Sequence, residues 1–168
     1  KLVIAGSAVL KGQLDYMNSC YRRASSSGLD PIIVSEENKI SEALSGNNYV
    51  VFLPNASRDA INYFMDNSKA FFHATIHEHL GAAIAEAMAR GLPAVVYKSG
   101  GAWMDLAKEG YYGLGYETEE EAVDGLMKLI KDKRTAELYY QRSVERVKEL
   151  GIENFEKGLI ATLKKISP

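Results

Sequence analysis

Two glutamates, Glu78 and Glu86, stand with seven residues between them, and the stretch they bracket runs His79-Leu80-Gly81-Ala82-Ala83-Ile84-Ala85. A glycine thus leads into a run made largely of alanine, where small side chains let a ligand approach the backbone closely. If the run is helical, its first turn presents N–H groups without intrahelical partners and the positive end of the helix dipole. Such a helix head suits an anion, and in particular a diphosphate. Glu78 falls just before the helix, and Glu86 about one turn inside it, on the side of Ala82 and Ala83. Two carboxylate acceptors therefore flank a phosphate-attracting backbone. A nucleoside-diphosphate sugar has the matching layout of ribose diol, diphosphate and sugar hydroxyls. The plain alternative is packing, since alanine-rich helices carrying a glutamate are common in cores.

Other chemistry-bearing residues are weaker signals. His73, His77 and His79 invite a zinc site, but their string is H-x-x-x-H-E-H, not H-E-x-x-H, and it spans a strand end and a loop. No metal is expected, and His73 reads as a buried or cleft-lining imidazole. Gly6-Ser7-Ala8-Val9-Leu10-Lys11-Gly12 ends Lys-Gly, with no Ser or Thr to follow, so it is not a P-loop, and it is not G-x-G-x-x-G. It reads as the loop after a first strand, and Lys11 reads as solvated. Trp103 is expected to pack, with a place in an acceptor cleft as the alternative. Cys20 lies on an apolar helix face and reads as core. Glu119, Glu120 and Glu121 read as an acidic helix start.

The elements that must position these residues alternate regularly. Apolar runs at Leu2 to Ala5, Pro31 to Val34, Tyr49 to Leu53, Ala70 to His73 and Ala94 to Tyr97 are short and end at Gly, Ser, Pro or Asn, as strands do. A weaker sixth lies at Gly113 to Tyr116. The runs are continuous, not alternating, which predicts sheets covered on both faces. Helical spacing is found at Gln13 to Ser26, from Ser57 to Met65, at Ala82 to Arg90, Thr118 to Lys131, Arg134 to Leu150 and Asn154 to Ile166. Ser57 is an N-cap candidate, and Thr118 with Glu121 has the form of a capping box. The predicted class is α/β: a Rossmann-like, doubly wound parallel sheet of about six strands with helices on both faces. In the strand order 3-2-1-4-5-6 the ligand site falls between the first and fourth strands, at the loops Gly6 to Gly12 and Ala74 to Gly81.

The 168 residues carry a formal net charge of −2 and one cysteine. That excludes an intramolecular disulfide and gives no case for a nucleic-acid partner. No apolar run reaches the length of a membrane span. The Lys-rich last helix offers a membrane-surface contact, with a solvated face as the simpler expectation. No internal linker appears, so residues 1–168 are expected to form one binding domain. Because the chain opens on Lys1 and a core strand, it reads as a fragment of a longer polypeptide.

The stretch Glu78-x-x-Gly81 … Glu86-Ala87-Met88-Ala89-x-Gly91-x-Pro93, followed by Ser99-Gly100-Gly101, resembles the C-terminal domain of the retaining glycosyltransferases of the GT-B fold called group 1 or family 4. Their hallmark is the E-x7-E motif, continued as E-A-M-A-x-G-x-P-V and a Gly-Gly loop. His73-Ala74-Thr75 resembles that family's H-P-S segment, and Val50 to Ser57 its strand leading to the base. The resemblance implies that Glu78 bonds donor-sugar hydroxyls and acts as the catalytic carboxylate, and that Glu86 holds the ribose diol. It implies that His79, Leu80, Gly81, Ala82 and Ala83 meet the sugar and diphosphate, and that Asn55 and Ala56 lie near the base; Gly6 joins the diphosphate set from its place in the loop after the first strand. It implies a nucleoside-diphosphate-sugar donor, no cofactor and no metal. The acceptor would be a glycan or lipid-linked molecule, bound through an N-terminal domain missing here, and the location cytoplasmic, at or near a membrane face.

Two departures matter. His79 replaces the glycine of the usual E-G-F-G and narrows the expected sugar pocket. The Arg and Lys that usually meet the diphosphate have only Lys11 as a candidate. E-H-[FL]-G with Gly100-Gly101-x-x-x-Asp105 is most similar to the α-1,2-mannosyltransferases that extend dolichol-linked oligosaccharides. That implies GDP-mannose, with UDP-glucose and UDP-N-acetylglucosamine left open. A fragment of this kind is expected to be inactive alone. The competing readings are a non-catalytic nucleotide-sugar-binding module and an epimerase or phosphorylase of similar fold. A nicotinamide-dependent domain would need a Gly-rich fingerprint that is absent.

Overall fold

A computed structural model describes residues 1–166. By contact density the chain divides into two compact units, and the boundary falls between Phe64 and Met65.

The first unit contains β1 (Leu2–Gly6), α1 (Lys11–Ser26), β2 (Pro31–Ile33), a 3-10 turn at Glu37–Lys39, α2 (Ile40–Ser45), β3 (Val50–Pro54) and most of α3 (Arg58–Asn67). The strands are parallel in the order β1-β3-β2, with Leu2 and Pro31 both opposite Val50. The order 3-2-1 expected from the doubly wound pattern would have put β2 beside β1, and this is corrected. The cause lies in composition. Val50, Val51, Phe52 and Leu53 are all buried, so β3 takes the centre, where both faces are covered. β2 has three residues and begins on Pro31, which lacks an N–H and is tolerated at a sheet edge. β1 differs from expectation too: Leu2 and Ile4 are 48% and 40% exposed, so its faces are not both covered. Val34, Ala43, Val51 and Leu53 form the core, with Ile32, Ile40 and Phe64 packed against them. Ser57 caps α3 as expected, its Oγ accepting the Ala60 N–H at 3.2 Å. Cys20 is only half-buried on α1.

The second unit contains β4 (Phe71–His73), α4 (Ala82–Ala89), β5 (Ala94–Tyr97), a π-helical turn at Ala102–Leu106, β6 (Leu114–Tyr116), α5 (Glu119–Lys131), α6 (Lys133–Glu149) and α7 (Ile152–Ile166). Its strands are parallel in the order β4-β5-β6. The six strands therefore form two three-stranded sheets, and not one sheet of six. β5 is central, and its alternation sorts the core. Ala94 and Val96 pack with Ile84 and Met88 of α4 and with Leu106. Val95 packs with Tyr116, Ala122, Leu129 and Tyr139. Helices thus cover both sides, as the α/β reading requires.

Helix starts in this unit are fixed by side chains. The Thr118 hydroxyl accepts the Glu121 N–H at 3.2 Å, but the Glu121 carboxylate returns to Glu117 N, not to the Thr118 amide. It also pairs with Lys98 at 2.9 Å. Asp132 accepts the Arg134 and Thr135 amides and starts α6. The described part of α7 is exposed throughout, with Ile152, Phe155, Leu159 and Leu163 among its exposed apolar residues. No described helix is long and apolar enough to cross a membrane.

Candidate functional site

The loop from the end of β4 to the head of α4 is built around Glu78. One carboxylate oxygen accepts the Gly81 N–H at 3.1 Å. The other lies 3.0 Å from His73 Nε2. The bond to His73 is the main cause, and the Gly81 amide the second, of a carboxyl held below its usual range. Both act by favouring the charged form. With Glu78 ionised and therefore acceptor-only, Nε2 of His73 carries the proton in this bond. The Tyr116 hydroxyl donates to the His73 carbonyl at 3.2 Å, and the His73 ring stacks on Phe71 with centroids 6.3 Å apart.

Glycines let this loop close. Gly81 has φ +76° and ψ 49°, the left-handed conformation, and caps α4. A Cβ there would lie 2.7 Å from Ile84 Cδ1 and 3.0 Å from Leu106 Cδ1. The Gly100-Gly101 loop after β5 lies directly on the backbone of Glu78 and His79. Gly101 donates its N–H to the Glu78 carbonyl at 2.8 Å. A Cβ on Gly101 would overlap the His79 carbonyl oxygen, and one on Gly100 the Glu78 carbonyl oxygen. Ser99 Oγ, just before this loop, lies 3.4 Å from His77 Nδ1. The Gly-Gly pair thus serves to fix the backbone that carries Glu78.

Ala82 and Ala83 are exposed at the helix head, beside exposed His79 and Leu80, while Gly81 is buried and Glu86 half-buried. An anion reaching this end of α4 meets the methyls of two small residues and the amides of the first turn. Glu86, on α4 four residues after Ala82, shares its helix face. Glu78, His79, Leu80, Gly81, Ala82, Ala83 and Glu86 are all in the second unit.

Gly6, Asn55 and Ala56 are in the first unit, where β1 and β3 end side by side. Gly6 and Asn55 are brought together: the Asn55 N–H donates to the Gly6 carbonyl at 2.9 Å. Asn55 Oδ1 accepts the Ala8 N–H at 2.9 Å, with Asn55 at φ +53°. Asn55 is thus occupied in pinning the loop after β1. Ala56 lines a hollow of about 40 Å³ with Val34, Glu37, Leu53 and Pro54, which holds little more than a water molecule.

Among the described residues no group of three or more His, Cys, Asp or Glu is placed to hold a metal ion. A groove of about 480 Å³ lies away from the Glu78 loop, lined by Asp66, Lys69, Arg90, Leu92, Pro93 and Tyr140 among others. It forms where α4 ends and β5 begins, and none of the candidate site residues lines it. Trp103 is half-buried against the cluster of Ile84, Met88 and Leu106, the packing role expected. The residues that spacing missed are His73 as a partner of Glu78, and Tyr116 behind it. A histidine closing a strand five residues before the glutamate was the available signal.

A family model described as "Glycosyl transferases group 1" matches residues 1–146. A human "GDP-Man:Man(3)GlcNAc(2)-PP-Dol alpha-1,2-mannosyltransferase" is 24% identical over 141 residues, which are 82% of this chain and 29% of that protein. The chain therefore spans less than a third of that relative. Among solved structures, HepE of Anabaena in complex with UDP and glucose aligns with a TM-score of 0.70 and 22% identity, over 98% of this chain and 40% of that one. The C-terminal domain of the group 1 protein LpcC of Francisella tularensis aligns with a TM-score of 0.64 and 20% identity, over 83% and 64% of the two chains. These likenesses establish a shared fold.

Proposed function

Because this chain belongs to the glycosyl transferases of group 1, we propose that it is the donor-binding part of a retaining hexosyltransferase. The observation that carries the reading is the Glu78 carboxylate, held ionised by His73 and by the Gly81 amide at the head of α4. A sugar presents hydroxyl donors, and an ionised carboxylate with lone pairs to spare is their matching acceptor. In this reading Glu78 receives hydroxyls of the transferred hexose, Glu86 the ribose diol, and the first-turn amides of Ala82 and Ala83, beside His79 and Leu80, the diphosphate, while the Gly81 amide holds Glu78. The assignment of Gly6 to the diphosphate set rests on its place at the end of β1, where the loop after that strand begins, and that of Asn55 and Ala56 to the base region on the family resemblance alone.

In the reaction the C1–O bond to the diphosphate breaks and the acceptor hydroxyl oxygen bonds C1 on the same face. The acceptor proton passes to the departing diphosphate oxygen. The protein's share is positioning and electrostatic stabilisation of the leaving group. A carboxylate bonded at both oxygens is a poor nucleophile, so Glu78 orients and does not attack. In this scheme the helix-head amides take the place of a metal in stabilising the diphosphate.

GDP-mannose is the proposed donor, supported by the human relative's name and by Glu78-His79-Leu80-Gly81. The same name supports a lipid-linked glycan as acceptor, while a site of action at the cytoplasmic face of a membrane rests on the family resemblance alone. The HepE complex keeps UDP-glucose as the comparison donor. The test is titration of the longest polypeptide carrying this chain with GDP-mannose, UDP-glucose and UDP-N-acetylglucosamine. Glu78→Ala and Glu86→Ala are run beside wild type. GDP-mannose should bind tightest, and loss of a hydrogen-bonded charged group should weaken it about tenfold or more in each variant. If both variants bind every donor as wild type does, the site is misassigned.

A further inference from the structure

We propose that His73 is a positioning residue for the donor site, setting through its Nε2–H the direction in which the Glu78 carboxylate offers its remaining lone pairs. This rests on the reading of Glu78 as the acceptor of sugar hydroxyls.

A carboxylate has about four lone-pair sites. His73 takes one on one oxygen, and the Gly81 N–H takes one on the other. The Leu80 amide adds a weaker pull on the same carboxylate, and the lone pairs left over are the acceptors that sugar hydroxyls would meet. A side chain tethered at a single oxygen could swing, so both tethers are needed to fix the plane. Gly81 is a rigid tether, because its left-handed backbone caps α4 and is packed by Ile84 and Leu106. His73 is equally fixed. It sits on the last position of β4, paired in register with Val96, and its ring stacks on Phe71. Its carbonyl is held by the Tyr116 hydroxyl. Rotamer freedom that a lysine or glutamine would lose on binding is already spent in folding, so the carboxylate is organised before the sugar arrives.

A purely structural histidine would be replaceable by any ring of its size. The experiment separates shape from hydrogen bonding. His73→Phe keeps the ring and its stack and removes the donor. His73→Asn keeps an amide donor too short to reach Glu78. His73→Gln places an amide nitrogen at nearly the reach of Nε2. Two readouts are taken. The first is the titration midpoint of the Glu78 side-chain carboxyl, followed by carbon-13 NMR in this chain. The second is kcat and KM for transfer from GDP-mannose in the longest polypeptide carrying it.

His73→Phe and His73→Asn should move the Glu78 midpoint up toward that of an ordinary carboxyl. They should lower kcat about 10- to 100-fold with a smaller change in KM, the loss expected for a hydrogen bond to a charged group. His73→Gln should recover kcat to within about threefold of wild type, since one donor replaces another. If His73→Phe does not fold, His73→Asn against His73→Gln gives the same contrast. An unmoved Glu78 midpoint in the folded variants overturns the proposal, as does equal loss of kcat in the asparagine and glutamine variants. A raised midpoint with no nucleotide-sugar bound by wild type sinks the donor assignment and leaves the His73–Glu78 linkage standing.

Discussion

Several carboxylates in this protein are held below their usual range by specific donors. For Glu78 the donors are His73 and the Gly81 amide, and for Glu149 they are Arg146 and Tyr112. A carboxyl lowered in the folded state contributes stability above its unfolded value, and that contribution is lost as pH falls through the lower native one. The acid limb should therefore begin below about pH 4.3, where unfolded glutamates protonate. Glu78→Gln should flatten it in urea titrations between pH 5 and 2. Tyr112 has the opposite sign. Its hydroxyl donates to Glu149 at 2.8 Å, and that bond pushes its pKa up to about 12. Stability from this bond is complete below the unfolded tyrosine value of about 10 and disappears as pH rises through about 12. Tyr112→Phe should show no loss assignable to this bond across that interval, and an equal alkaline loss in both proteins would refute the assignment. Glu78 and Glu86 were legible as a pair because seven-residue spacing across a helix start is a pattern in the chain itself. The partners His73 and Tyr116 were not, because His73 reaches Glu78 from the end of β4 and Tyr116 holds the His73 carbonyl from β6, two strands separated by β5 whose register no local spacing encodes.

Secondary elements hold the site through their ends. The Gly-Gly loop after β5 presses on the Glu78–His79 backbone, so Gly101→Ala forces two segments apart. Overpacking against backbone should cost at least about 2 kcal/mol, visible as a lower urea midpoint at unchanged slope. The change should also weaken nucleotide-sugar binding, because it displaces the His79 carbonyl and with it the backbone that carries Glu78. A variant as stable as wild type would mean that the loop yields, and that the glycine pair has another use. The caps are a control at the same scale. Asp132→Ala removes the acceptor for two amides at the start of α6, and should cost about 1 kcal/mol with no effect on binding. Strand and helix positions were legible from apolar runs and glycine stops to within a few residues. The short α2 and the π-helical turn at Ala102–Leu106 were not. The first is only six residues long, and the second is defined by a hydrogen-bond offset, not by composition. The central place of β3 follows from the burial of all of Val50, Val51, Phe52 and Leu53, and it was not legible because Leu2-Val3-Ile4-Ala5 is an apolar run of the same length.

At the scale of the molecule, catalysis by positioning depends on what surrounds the reacting atoms. Oriented dipoles and charges are worth far more where water is excluded than where it is present. In the second unit the head of α4 is open to solvent: Ala82, Ala83 and His79 are exposed, and Leu80 is 70% exposed. Glu78 keeps 26% of its side-chain surface in water. An acceptor hydroxyl must be brought to within about 3–3.5 Å of the sugar carbon in line with the developing charge, and in the proposed reading Glu78, Glu86 and the head of α4 are all committed to the donor. The 168 residues alone should therefore bind GDP-mannose weakly, hydrolyse little of it, and transfer no mannose to a glycan supplied in solution. Nucleotide-sugar titration and a radiolabelled transfer assay, run on this chain beside a longer polypeptide that contains it, check both halves of that expectation. Transfer by the 168 residues at a rate near that of the longer polypeptide would mean that the acceptor is held by groups within this chain. The exposed side chains at the head of α4 would then be the first to substitute in search of them.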